Sequence, residues 1–301
     1  ARFQKSDGSW ILDSHTSDSL YPLAPHYLMY ASIVVYFDGT FGQHAQDWEA
    51  LRSASQSVLP MPQLETIAGY ARPGERGIAY SRVGVRPFTR LATRVQADGI
   101  AFAQLLEDVA EDWPGECANC TVYFTKEDRI TPAAPLHASV TTNYQVSPSW
   151  PSPTERAAVQ RLCETVHGTY GFVALSHDRY EALNHGAWAL SSPWEYTNSG
   201  ADPVRKQRFE ASLNEMARRN RFRHLMGERL RGVYWGNLLP AAIVQQVGGD
   251  AAFTLAGCEV VEWINDRVLY VQLTATFATA ETTAALATLA RVSQLLAAFV
   301  V

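Results

Sequence analysis

The 301-residue chain carries 25 Lys and Arg against 30 Asp and Glu, a formal charge of −5, and 47% of it is hydrophobic. That is enough apolar side chain for a sizeable buried core, which excludes a disordered tail, and no run approaches the ~20 apolar residues of a membrane span. The mild negative charge excludes neither nucleic acid nor an acidic ligand, yet it suits a basic partner, and eight Trp with thirteen Tyr favour protein contacts.

In chain order, the first ~30 residues are polar and then punctuated by Pro22 and Pro25, and read as an arm. Ala1–Lys5 has no apolar stretch behind it, so a cytoplasmic protein is expected, although a start at Ala1 rather than Met leaves a trimmed leader open. Ser32–Phe37 is an apolar, β-branched run closed by Asp38-Gly39, the pattern of a buried strand and turn. A helix from about Gln43 to Val58 follows, with Trp48, Leu51 and Val58 inward. A second is predicted from about Asp98 to Asp112, with Ile100, Phe102, Leu105, Leu106 and Val109 toward the core and Glu107, Asp108, Glu111 and Asp112 on the opposite face. Pro114-Gly115 stops it, and strands are expected at Thr121–Thr125 and His137–Val146.

Three prolines, Pro148, Pro151 and Pro153, mark the best boundary in the chain. Beyond it, a helix is predicted over Thr154–Val166 with Ser152 as its N-cap, then a strand at Gly171–Leu175 and a helix over Asp178–Leu190. A long basic helix, about Asp202 to Met226, leads to a strand at Leu230–Tyr234. Pro240–Val247 is helical and ends at Gly248-Gly249. Strands at Glu259–Ile264 and Val268–Thr276 meet at the turn Asn265-Asp266. Glu281–Phe299 closes the chain as a helix with Leu286, Leu289, Val292, Leu296 and Phe299 on one face. The fold class is therefore α+β: mixed or antiparallel sheets with packing helices, in two similar-sized halves, 1–150 and 151–301, within one compact unit.

No GxSxG elbow, GxxxxGK[ST] loop, GxGxxG fingerprint or HExxH pair occurs, and Gly69–Gly77 reads as a loop, since it contains Pro73 and no Lys. His177 and His185 flank Asp178 and Glu181, but a strand end at His177 breaks the helical spacing that a metal or acid–base site needs. His26, His44, His137, His167 and His224 stand alone. Cys117 and Cys120 form a CxxC without a second pair, while Cys163 and Cys258 lie far off; small buried or turn thiols outweigh a zinc or redox site. Thr125–Asp128 lacks the partner carboxylates of a restriction-type nuclease. No catalytic residue, metal ligand or cofactor is assigned, and the chain is not expected to be an enzyme.

Charge is polarised along the chain. Between Arg205 and Arg231 nine Lys or Arg face three Glu, a window of +6 that leaves −11 for the remainder. Arg205, Lys206, Arg208, Arg218, Arg219, Arg221, Arg223, Arg229 and Arg231 could form a nucleic-acid surface. A solvated helix whose arginines pair with the acidic remainder outweighs that, because no stacking motif accompanies the cluster. Likewise, Glu107, Asp108, Glu111 and Asp112 could steer a partner's basic cleft or, with greater weight, could simply be the wet side of a helix.

From Leu230 the chain runs Leu-Arg-Gly232-Val-Tyr234-Trp235-Gly236-Asn237-Leu-Leu, then a short helical stretch to Val247, Gly248-Gly249 and two strands. This order resembles the type VI secretion immunity proteins that accompany restriction-endonuclease-fold toxins, the TsiT and TsiV kinds, and leans toward the TsiT kind. The likeness covers about the last 140 residues. It implies an antitoxin that binds a cognate nuclease effector and covers its active cleft or blocks its assembly, with no membrane partner. The alternative is a nucleic-acid-associated protein using Arg205–Arg231. The residues also have scaffold duties of their own. Gly232 and Gly236 are expected where a Cβ would clash, Trp235 buries a large ring, and Asn237 can satisfy turn backbone groups.

Overall fold

Every position from Ala31 to Phe37 is buried, as an apolar run without alternation requires: both faces of its strand must be covered. In the computed structural model this run is the body of β3 (Met29–Phe37), which pairs antiparallel with β8 (His137–Val146) on one side and β9 (Gly168–Ser176) on the other. The structure describes residues 2–4, 10–12, 29–37, 46–47, 50, 53–54, 64–71, 79–83, 102–109, 119–125, 137–146, 149–176, 214, 227–280 and 282–301.

The remaining strands are β1 (Arg2–Gln4), β2 (Trp10–Leu12), β4 (Leu64–Ala71), β5 (Ala79–Val83), β6 (Phe102–Val109), β7 (Asn119–Thr125), β10 (Gly236–Pro240), β11 (Val260–Trp263) and β12 (Val268–Gln272). A seven-stranded sheet runs β11-β12-β10-β9-β3-β8-β7, antiparallel at every pairing, and so draws strands from both sides of the Pro148–Pro153 segment. A three-stranded sheet, β5-β4-β6, lies with β6 beside β7, and β1 pairs with β2. With helices α1 (Pro153–Thr165), α2 (Ala241–Gln246), α3 (Asp250–Ala256) and α4 (Thr283–Leu296), the fold is α+β.

Local chemistry explains several boundaries. Ser152 caps α1 through a reciprocal capping box: the Glu155 amide donates to Ser152 Oγ at 3.3 Å, and the Ser152 amide donates to the Glu155 carboxylate at 2.7 Å. Ahead of it Trp150 is buried against Trp235, with ring centroids 5.6 Å apart, so the proline segment is packed into the core. The hairpin between β11 and β12 is held by Asn265, whose Oδ1 accepts from the amides of Arg267 (2.9 Å) and Val268 (3.1 Å).

The structure corrects five expectations. Residues 102–109 form β6 instead of a helix; all eight positions pair with β4, and that ladder overrides an apolar spacing equally compatible with a helix. Gly69 lies inside β4, opposite Tyr80 and Gln104, and not in a loop. The strand expected at Leu230–Tyr234 is a single parallel bridge, Leu230 to Val300, and the ladder begins at Gly236. Gly248-Gly249 leads into α3 before any strand; both glycines have positive φ, +102° and +83°, which lets the chain reverse between two short helices. Finally, α4 buries Ala285, Thr288, Val292 and Leu296, while Leu286 is 55% exposed, because Thr288 and Arg291 hold α4 to the end of α3 through the Gly257 and Ala256 carbonyls. Helical residues at 46–47, 50 and 53–54 agree with the predicted helix from Gln43. The helix expected at Asp178–Leu190 and, apart from helical Asn214, the basic helix lie outside the described residues.

Candidate functional site

The segment flagged by its Gly-Val-Tyr-Trp-Gly-Asn order enters the core at Leu230. The Leu230 amide donates to the Phe299 carbonyl at 2.9 Å and its carbonyl accepts from the Val301 amide at 3.0 Å, which fixes the chain just before Arg231. Arg231 is then buried, at 1% exposure, among rings from two adjacent strands. Tyr36 comes from β3; Tyr170 and Phe172, two residues apart on β9, share one face of the sheet. Tyr36 and Tyr170 stack at 5.4 Å, and Tyr234 stacks on Phe172 at 3.9 Å.

The guanidinium meets this cage in two ways. Its Nη1 donates to Tyr36 Oη at 3.5 Å, and its Cζ lies 5.6 Å from the Phe172 ring centroid. The Arg231 amide donates to Tyr170 Oη at 2.9 Å. Burial works against the arginine's charge, but the oxygens of Tyr36, Tyr234 and Tyr170 outweigh it and hold the group protonated. Burial also pushes the Tyr170 phenol well above its ordinary value, helped by Tyr234 and Tyr36. A buried cation held by phenol oxygens and ring faces anchors the segment that carries it.

Beside the cage is a polar network. Asn237, 1% exposed, clamps Tyr234: its Oδ1 accepts from the Tyr234 amide at 3.0 Å and its Nδ2 donates to the Tyr234 carbonyl at 2.8 Å. The clamp occupies backbone groups that a ladder would use, which is why the strand starts only at Gly236. A Cβ on Gly236 would sit 3.0 Å from Val173 Cβ. Trp235 Nε1 donates to Thr274 Oγ1 at 2.8 Å, and Tyr270 Oη donates to Gln272 Oε1 at 2.7 Å. Gln272 Nε2 in turn donates to the Thr274 and Ala275 carbonyls. Gly232 is buried in the same run.

Other predicted residues are not brought together. Glu107 and Asp108 fall at consecutive positions of β6, opposite Thr66 and Glu65, and consecutive strand positions belong to opposite faces, so no single helical acidic face exists there. Glu111 and Asp112 lie outside the described residues, as do His177, His185, Cys117 and seven of the nine basic residues from Arg205. Of the other two, Arg231 is a core residue and not a surface cation, and Arg229 donates to the Ala298 carbonyl. Cys120 lies in β7. Cys163 and Cys258 are buried free thiols; burial pushes Cys163 up to about 12, with Glu164 adding, and Cys258 up to about 11. Among the described residues no group of three His, Cys, Asp or Glu could hold a metal, and no helix is long and apolar enough to cross a membrane. The cage itself went unpredicted, although the Tyr170-x-Phe172 alternation was its visible trace.

No protein-family model matches the chain, and no curated protein matches it. Among solved structures it is similar to one described as the Pseudomonas aeruginosa T6SS protein PA0821, with a TM-score of 0.51 over 91% of this chain and 77% of that chain. The identity is 12%, so the likeness is one of fold.

Proposed function

We propose that this chain is a binding protein associated with a type VI secretion system, and that it acts as an immunity protein, neutralising a cognate nuclease effector without catalysis. The observation that carries the association is the shared fold with a T6SS protein across 91% of the chain. The immunity role and the nuclease target come from the Leu230–Gly249 resemblance. Two features of the site fit a binder: Arg231, Tyr170, Trp235 and Asn237 are spent on holding the segment in place, and among the described residues around the cage none is a nucleophile paired with a base. Inhibition then consists of covering the effector's active cleft or preventing its assembly.

Co-expression with the effector encoded beside this chain tests the proposal. Cells survive and a complex elutes on size exclusion if it is right. Continued killing with no complex overturns the immunity role, and a complex with an effector that cuts no nucleic acid overturns the nuclease target.

A further inference from the structure

β11 ends the seven-stranded sheet, and among the described residues nothing pairs with its outer side. Which backbone groups face outward follows from the register. The Ile264 amide donates to the Val268 carbonyl at 3.0 Å, so Ile264, Glu262 and Val260 direct their backbone groups to β12. Val261 and Trp263 direct theirs away from the sheet.

Natural edges are blunted by short strands, by charged side chains, lysine above all, or by proline, and β11 is four residues long with Glu262 as its charge, so lysine and proline are the devices in question. This edge carries neither. Trp263 is 43% exposed, and Asp250 of α3 holds its ring by accepting from Nε1 at 3.1 Å. Leu255, on the helix that packs against β11, is 87% exposed. Between Asp250 and Arg267 the exposed charges are four carboxylates, Asp250, Glu259, Glu262 and Asp266, against Arg267 alone. Of these carboxylates Glu262 also accepts from Gln160 Nε2 of α1 at 2.7 Å and Glu259 from the Ala275 amide. Of the cations on neighbouring elements, Arg291 is committed to the Ala256 carbonyl and to Thr288, while Arg156 and Arg161 share the helix of Gln160 and offset part of the negative charge.

We infer that the outer edge of β11 is a docking strand for an extended, basic segment of a partner protein, which adds to the sheet through the backbone of Val261 and Trp263. Main-chain pairing supplies register, Trp263 an apolar contact, and the carboxylates select positive charge. The same acidity disfavours a second copy of this chain, which would bring like charge to like charge, and disfavours nucleic acid. This deepens the binding role above by naming a surface, and it can fail or stand separately.

A fluorescent alternating Lys-Val peptide, with its Glu-Val counterpart as control, is the probe. Binding of the Lys-Val peptide alone is expected, weakening with salt, with slowed amide exchange at Val261 and Trp263. Val261→Pro removes an outward N–H that β12 does not use, and Glu262→Lys reverses an exposed charge; each should weaken binding about tenfold or more. A melting curve checks that Val261→Pro folds, and Glu262→Lys serves if it does not. Absence of binding, equal binding of the Glu-Val peptide, or binding untouched by Glu262→Lys overturns the inference. So does dimerisation that Val261→Pro abolishes, which would make a second copy the occupant. Peptide binding at β11 together with failed protection in co-expression leaves this surface standing and removes the immunity role instead.

Discussion

Asn237 offers the sharpest test of how the Tyr234–Asn237 segment is built. Its amide is almost fully buried and makes two bonds to one residue, accepting from the Tyr234 amide and donating to the Tyr234 carbonyl. Asn237→Ala removes both and orphans two backbone groups. Each orphan costs about 1–3 kcal/mol when water is shut out, and because Tyr234 is half-buried the total should fall at about 2–4 kcal/mol. Asn237→Asp separates the two bonds: the acceptor survives, the donor is lost, and a carboxylate is set against a carbonyl oxygen. Burial and that oxygen raise the new carboxyl above its unfolded value of about 3.9. A folded pKa above the unfolded one means that stability is fully present below the unfolded pKa and is lost as pH rises through the folded pKa. Protonated, the acid can donate to the Tyr234 carbonyl again. Denaturant melts from about pH 4 to about pH 8 should therefore show Asn237→Asp losing stability relative to the wild type as pH rises, while the deficit of Asn237→Ala stays flat. A loss below about 0.5 kcal/mol for the alanine variant, or a pH-independent aspartate variant, would refute the clamp.

Gly171 and Gly249 separate two reasons for glycine. A Cβ at Gly171 would run into the Val34 carbonyl oxygen and lie 2.7 Å from Leu238 Cδ1, whereas at Gly249 nothing lies within 4 Å but φ is +83°. Gly171→Ala is expected to cost about 1–3 kcal/mol by crowding between β3 and β10, and shortening Leu238 should not restore it because the nearest obstacle is backbone. Gly249→Ala should cost about 1–3 kcal/mol through backbone strain alone. Rescue of Gly171→Ala by Leu238→Val in thermal melts would contradict the steric account. For the thiols, Cys163 and Cys258 titrate above their ordinary 9.0 through burial, up to about 12 and about 11. Their share of stability is thus complete below about pH 9 and declines above it as the unfolded thiols ionise first. Peptide mapping after alkylation at about pH 8 should find both unmodified until denaturant is added; native labelling at the rate of a free thiol would rule out that burial.

Strands and helices with local signals were legible. Ser32–Phe37 declared a buried strand by its unbroken apolar run, Ser152 announced α1 as its N-cap, and Asn265-Asp266 marked the β11–β12 turn. Asn237 was correctly expected to satisfy turn backbone groups. What escaped depends on partners distant in sequence. Phe102–Val109 spaces its apolar residues as a helix would, and only the ladder with Leu64–Ala71 makes it a strand. The rotation of α4 that leaves Leu286 in solvent is set by Thr288 and Arg291 binding carbonyls 31 and 35 residues away. The aromatic cage needs Tyr36, Tyr170 and Tyr234 from three segments, and no spacing rule joins them.

Charge shows the same dependence most clearly. Arg231 closes a basic stretch in the sequence, and counting along the chain places it with the surface cations. In the fold it is fixed inside a cage, because Leu230 is pinned by the terminal backbone and β9 presents Tyr170 and Phe172 on one face. Helical spacing would place Glu107 and Asp108 on one acidic face, and the two-residue period of a strand splits them. A net charge for a window becomes a surface property only once the burial and face of each member are known. On that basis the acidic cluster whose exposure is described is at β11, where Asp250, Glu259, Glu262 and Asp266 stand around a sheet edge that no described residue pairs with. If the docking inference holds, the basic partner that overall composition suits would pair with this strand.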